Sequence, residues 1–166
     1  MRFPAGWRPS SCGRSLKARS TANQTAQKLI FVDSGILANE VSFDARSLLR
    51  PGAPFGPLLE SFVLAELGRQ LTWSDQPADL YHYRDHSKFE VDAVLENRRG
   101  QVVGLEVKAA STAGPDDFRG LRRLADRLGD DFVAGIVLYT GPSTLPFGDK
   151  LRALPVSSLW QVPAPG

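Results

Sequence analysis

One cysteine, Cys12, stands in 166 residues. No disulfide can close within the chain, so the fold must hold by packing alone, and a lone thiol fits a reducing compartment. No apolar run approaches the roughly 20 residues of a membrane helix. The N-terminus, MRFPAGWRPSSCGRSLKARS, has arginines but lacks the apolar stretch of a secretory signal. These absences predict a cytoplasmic protein with no membrane partner. No G-x-x-x-x-G-K-[ST] phosphate loop occurs either; residues 141–150 hold glycines and a lysine at the wrong spacing. The chain is therefore not an ATPase by that mechanism. Histidine is scarce: His82 and His86 have no companion at ligand spacing and are expected at the surface. No Ser/His/Asp or Cys/His set points to covalent catalysis.

Net charge is low, +2, yet it is unevenly spread. Residues 1–28 carry six basic side chains (Arg2, Arg8, Arg14, Lys17, Arg19, Lys28) and no acid. Residues 29–166 carry fourteen basic and eighteen acidic side chains, a net of −4. The body is thus not a strongly basic nucleic-acid surface, which counts against tight unaided DNA binding. Residues 1–27, rich in Ser, Arg, Pro, Gly and Thr without a sustained period, read as a basic, disordered tail. Such a tail is a solvated leader or a sequence-blind attractor of phosphate. A domain is expected over 28–162, and 163–166 form a second tail.

Along the body, Leu29-Ile30-Phe31-Val32 is a short apolar piece. Asp33-Ser34-Gly35 follows as a helix cap before Ile36-Leu37-Ala38, and residues 42–56 read as a loop. A helix is predicted from Pro57 to about Leu71, with Leu59, Phe62, Val63, Leu67 and Leu71 at helical spacing. The period then becomes two. Residues 80–84 form a short strand. In 88–96, Phe89, Val91, Ala93 and Leu95 should face one way and Glu90, Asp92, Val94 and Glu96 the other. Residues 97–100 turn the chain into a hairpin, and 101–109 is the next strand. There Val103, Leu105 and Val107 share one face, Glu106 and Lys108 the opposite one. A second helix runs from about Pro115 to Leu128, ended by Gly129. Residues 132–139, apolar almost throughout, suit a strand buried on both faces beside a parallel neighbour, reached by a right-handed crossover. Residues 153–160 would add a short edge strand. The prediction is an α/β domain with a mixed sheet, order α-β-β-β-α-β, and helices on the sheet faces.

One constellation carries chemistry. Phosphodiester hydrolysis calls for a divalent cation, an activated water and a positive group near the developing charge. Hard cations such as Mg2+ take oxygen ligands, usually one or two carboxylates with waters and substrate. Glu106 and Lys108, two apart, project from one strand face. Counting back from the turn, Asp92 falls opposite Glu106, about 5 Å away in antiparallel pairing. Glu60, beside the apolar stripe of the first helix, either completes the site or is a first-turn acid favouring the helix dipole.

Asp92, thirteen residues, then Glu106-Val107-Lys108 resembles the PD-(D/E)XK nuclease motif. Further phrases do more: Asp33-Ser34-Gly35, Leu58-Leu59-Glu60-Ser61-Phe62-Val63, Tyr83-Arg84, Glu90-Val91-Asp92, Leu105-Glu106-Val107-Lys108-Ala109 and Gly135-Ile136-Val137-Leu138-Tyr139. Together they resemble the uncharacterised C-terminal domain of a family of prokaryotic AAA-type ATPases, over about Lys28 to Trp160. The resemblance implies a restriction-endonuclease-like fold. It implies Asp92 and Glu106 as metal ligands with the Val107 carbonyl, Lys108 as catalytic lysine, Glu60 as helix-borne acid, Mg2+ as cofactor and DNA as substrate. Relatives carry an ATPase domain upstream. Without one, this chain looks like a C-terminal fragment of a larger ancestor, its ATPase supplied in trans as a protein partner.

Plainer roles compete. Lys108 paired only with Glu106 or Asp92 would be a surface ion pair of small worth. Glu90 belongs at the rim, Asp33 is a cap rather than a ligand, and Arg84 a solvated strand end. Arg119, Arg122, Arg123 and Arg127 at helical spacing are a solvated face or a phosphate-contacting one. Trp73, Tyr81 and Tyr139 read as packing rather than base-stacking platforms. The function expected is a nuclease-like domain hydrolysing DNA; the alternative is a non-catalytic protein- or DNA-interaction module, an orphaned appendage of an ATPase.

Overall fold

The computed structural model describes residues 55–84 and 89–161. The tail 1–27, the apolar piece at 29–32, the Asp33 cap, the loop up to residue 54, His86 and the tail 163–166 lie outside the described residues.

Helix α1 (Phe55–Leu71) starts two residues before Pro57, taking Phe55 and Gly56 from the expected loop into its first turn. Its stripe is the predicted one: Val63 and Leu67 are buried, with Leu59, Phe62 and Leu71 packed around them. The partner surface is one face of a sheet, formed by Ala93, Leu95, Val103, Leu105, Ala134 and Leu138.

The sheet has six strands: β1 (Ala78–Arg84), β2 (Glu90–Asn97), β3 (Val102–Lys108), β4 (Phe132–Tyr139), β5 (Leu145–Pro146) and β6 (Leu151–Pro155). Their order is β1-β2-β3-β4-β6-β5. β1, β2 and β3 form the antiparallel meander, with Gly100 in the β2–β3 turn at φ 77, a backbone region that glycine enters at little cost. β4 runs parallel to β3 and to β6. This is the mixed α/β sheet that the residue pattern predicts, helices included. The last strand differs from expectation. β6 is not an edge; it lies between β4 and β5, and Val156–Trp160 is a 3-10 turn. The reason is β4 itself: it is buried along most of its length, so the backbone N–H and C=O groups on both of its edges need partners, which β3 and β6 supply. The two-residue β5 then closes the edge, where Pro146 has no N–H to offer.

Helix α2 (Arg119–Leu128) covers the other face, after a 3-10 turn at Pro115–Phe118. Phe118, Leu121, Leu124 and Leu128 pack there with Val91, Val94, Val102, Phe132 and Val137. Gly129, at φ 57, ends the helix.

β2 departs from strict alternation. Val91 and Val94 both join the α2-side core, while Ala93 and Leu95 join the α1-side core. The pairing shows why: Tyr81 meets Val94, but Tyr83 meets Val91. β2 thus carries one extra residue around Asp92 and Ala93. Such a bulge flips the phase of everything beyond it and re-aims a side chain.

Candidate functional site

The re-aimed residue is Asp92. The β2–β3 ladder ends at Ala93 opposite Leu105, so continuing that register would bring Asp92 across from Glu106. Instead of another backbone pair, the Asp92 carboxylate accepts the Val107 N–H at 2.9 Å. That amide belongs to the peptide joining Glu106 to Val107. The Asp92 carbonyl in turn lies 3.5 Å from His82 Nδ1, so His82 is half-buried beside the bulge rather than on the open surface.

Glu106 projects to the α2 side. An added Cβ at Gly120, in the first turn of α2, would stand 2.9 Å from Glu106 Oε1 and only 2.3 Å from the Glu90 carbonyl oxygen. A missing side chain therefore lets the helix start rest against β2 and against Glu106. Glu90 itself pairs with Arg84 at 3.0 Å, at the rim.

Lys108 shares that face but not that partner. Its Nζ lies 2.6 Å from Asp117 Oδ1, in the turn before α2. The other oxygen of Asp117 accepts the Gly114 N–H at 2.9 Å, closing the 3-10 turn. Burial works to raise the Asp117 pKa. The Lys108 hydrogen bond, the Gly114 amide and the charges of Lys108 and Arg119 outweigh it and hold the carboxyl below the ordinary aspartate value. Nothing in the sequence singles out Asp117. The one signal is an acid two residues after Pro115 at a helix start, which reads equally well as a cap.

Glu60 stands apart in one respect. α1 packs on the sheet face opposite the one from which Glu106 and Lys108 project. Its first turn nonetheless reaches the end of β3: an added Cβ at Gly56 would lie 4.0 Å from the Ala109 Cβ. Glu60 is one turn further along the helix.

Glu106, Val107, Lys108, Asp116, Asp117, Gly120 and Val137 line one cleft of about 270 Å³. It opens at the carboxyl end of β3, beside its parallel neighbour β4 and against the start of α2. Open α/β sheets place their ligand crevices beyond the carboxyl ends of strands. Among the described residues, no three of His, Cys, Asp and Glu form a group arranged to hold a metal. Of the two expected carboxylate ligands, Glu106 lines the cleft and Asp92 is not among its lining residues; Mg2+ is commonly held by only one or two carboxylates, with water and substrate in the other positions. Of the aromatics read as packing, Tyr139 is buried and donates to the Ser143 carbonyl at 2.6 Å, and Tyr81 packs at the core's edge. Trp73 does not pack; it is 67% exposed. No helix of the described residues is long and apolar enough to cross a membrane.

The class so defined is an α/β domain with a charged cleft at the end of a parallel strand pair. The family model described as Domain of unknown function (DUF4143) matches residues 55–159, more than half of the chain, and the chain belongs to that family. Among solved structures, it is similar to a chain in the refined half-complex from a tetradecameric assembly of Thermococcus gammatolerans McrB AAA+ hexamers with bound McrC. The identity is 15% and the TM-score 0.43, over 59% of this chain and 26% of that one. The chain thus spans about a quarter of the chain it matches, and a likeness of that size carries no argument. No curated protein matches.

Proposed function

We propose that the domain is nuclease-like, with a site for one divalent cation at the end of β3. The carrying observation is that Glu106 and Lys108 line a single cleft while the Asp92 carboxylate is bonded to the peptide that follows Glu106. Asp92 and Glu106, with the Val107 carbonyl, would hold Mg2+, whose charge would offset that of a bound phosphodiester. Lys108, kept at the cleft by Asp117, presents an ammonium to the phosphate. Glu60 serves as the helix-borne acid, and DNA is the substrate.

Calorimetric titration of the full chain with Mg2+ or Mn2+ tests the reading directly. Saturable binding should be lost in Glu106→Ala and kept in Lys108→Ala, while cleavage of single- or double-stranded DNA should be lost in both. Cleavage persisting in Asp92→Ala or Lys108→Ala removes these roles. A second reading, a non-catalytic module that docks a protein such as an ATPase supplied in trans, is favoured by one observation. Trp73 and Trp160 are 67% and 49% exposed, the latter even with its indole N–H bonded to Glu66, and tryptophan is enriched at binding hot spots. Absence of any cation binding by the wild-type chain selects it.

A further inference from the structure

The cleft does not use the outer surface of α2. Leu121, Leu124 and Leu128 face the sheet. Arg119, Arg123 and Arg127, each four residues from the next, line the exposed side, with half-buried Arg122 beside them. In a body whose net charge is −4, this helix is a local concentration of positive charge. Asp126 is the one acid on the helix itself; Asp116 and Asp117 flank its start, and Asp130 and Asp131 follow its end.

The guanidinium groups are held in place. Arg119 Nε donates to the Asp116 carbonyl at 3.3 Å, and Arg122 Nη1 to the Pro115 carbonyl at 2.7 Å. Each of those bonds engages one of five donors on a permanently charged group. Arg123 lies over the Phe89 ring at 4.6 Å. Arg127 lies 6.0 Å from the Tyr83 ring centre and donates to its hydroxyl at 3.3 Å. Side chains already ordered lose less freedom when a partner arrives.

We propose that the arginine row of α2 is a docking surface for the sugar-phosphate backbone of a nucleic-acid strand, guiding it to the cleft. Four residues of helix advance about 6 Å, so Arg119, Arg123 and Arg127 step evenly along one side of the helix backbone. A line of fixed charge matches a polyanion with repeating charge better than a compact acidic patch. The row runs from the end of α2 that lines the cleft, so a strand lying on it is led to Glu106 and Lys108. The proposal deepens the nuclease-like reading but needs no bound cation, which allows the two to be tested apart.

The test is fluorescence anisotropy of labelled single- and double-stranded DNA with the full chain, in EDTA, across a salt series. The basic residues before Leu29 are present in every variant, so differences between variants report on α2. In Arg119→Gln/Arg123→Gln, the slope of log affinity against log salt should shrink by about 0.7–0.9 for each phosphate that is no longer neutralised. Arg119→Lys/Arg123→Lys should keep most of the slope, and Glu106→Gln all of it. Circular dichroism checks that each variant is folded. Equal slopes in the glutamine variant and the wild type overturn the proposal, as does binding to phosphatidylserine vesicles without binding to DNA. If the slope shifts while the wild type takes up no Mg2+, the docking surface stands and the hydrolytic reading falls. If Mg2+ binds and the slope does not shift, the reverse holds.

Discussion

The two faces of the sheet are built alike and finish differently. On the α1 face, Leu105 and Val103 of β3 pack beneath Val63 and Leu67, and a polar cluster gathers around the buried Glu66. There Glu66 accepts from Arg69, from Gln70 and from Trp160, tying the 3-10 turn at Val156–Trp160 to the helix. On the α2 face, the same strand has Gly104 under Leu121 and Leu124, then Glu106 and Lys108 in the cleft. One ion pair follows helix periodicity, the other joins β3 to the start of α2. The difference teaches where each can be read: the first is local in sequence, the second depends on how two elements dock.

The comparison can be broken first in the cores. Leu105→Ala and Leu121→Ala remove equally buried leucines from opposite faces. Each should cost about 2–5 kcal/mol in chemical denaturation. A loss confined to one face would mean that the sheet is not the shared core.

The next largest effect concerns the cleft. Gly120→Ala drives a methyl against the Glu90 carbonyl, a backbone atom that cannot swing away. It should cost about 1–3 kcal/mol and weaken any cation binding through Glu106. Gly104→Ala meets leucine tips at 2.6 and 3.3 Å, which can shift, so its cost should be smaller. Equal costs would remove the special role given to the helix start.

The smallest effects separate the two carboxylates by pH and salt. Glu66 is held below the ordinary glutamate value, first by the Gln70 hydrogen bond and then by Arg69, against the opposing effect of burial. Asp117 is lowered as well. A depressed folded-state pKa adds stability above the unfolded value, and that stability is lost as pH falls through the folded one. Glu66→Gln and Asp117→Asn should therefore each flatten the acid limb of a stability–pH profile. Lys108 is about half exposed, so the Asp117 contribution should stay under about 1 kcal/mol and fade in high salt. Truncation by Glu66→Ala should cost about 1 kcal/mol, because it removes the acceptor shared by Arg69, Gln70 and Trp160, whose donors are exposed or half-buried and can turn to water. A larger or salt-resistant Asp117 effect would show that the cleft pair is more enclosed than its exposure indicates.

Composition and periodicity determined much by themselves. The apolar stripe of α1, the hairpin turn, the facing of Val103, Leu105 and Val107 against Glu106 and Lys108, the Gly129 stop and the doubly buried β4 all follow from spacing within one element. Those relations are local, and backbone geometry repeats with a known period. Tertiary structure alone decided the rest. The extra residue in β2 has no mark in the sequence, because a bulge is defined by the strand opposite. It splits Val91 from Ala93 and turns Asp92 onto the Val107 amide. Lys108 has Asp117 as its partner because the Gly120 gap lets α2 start close against the sheet. β6 is internal because β4 needs a neighbour on each side. Which acid meets which amine is a matter of distances between elements, and those are set by packing rather than by position along the chain.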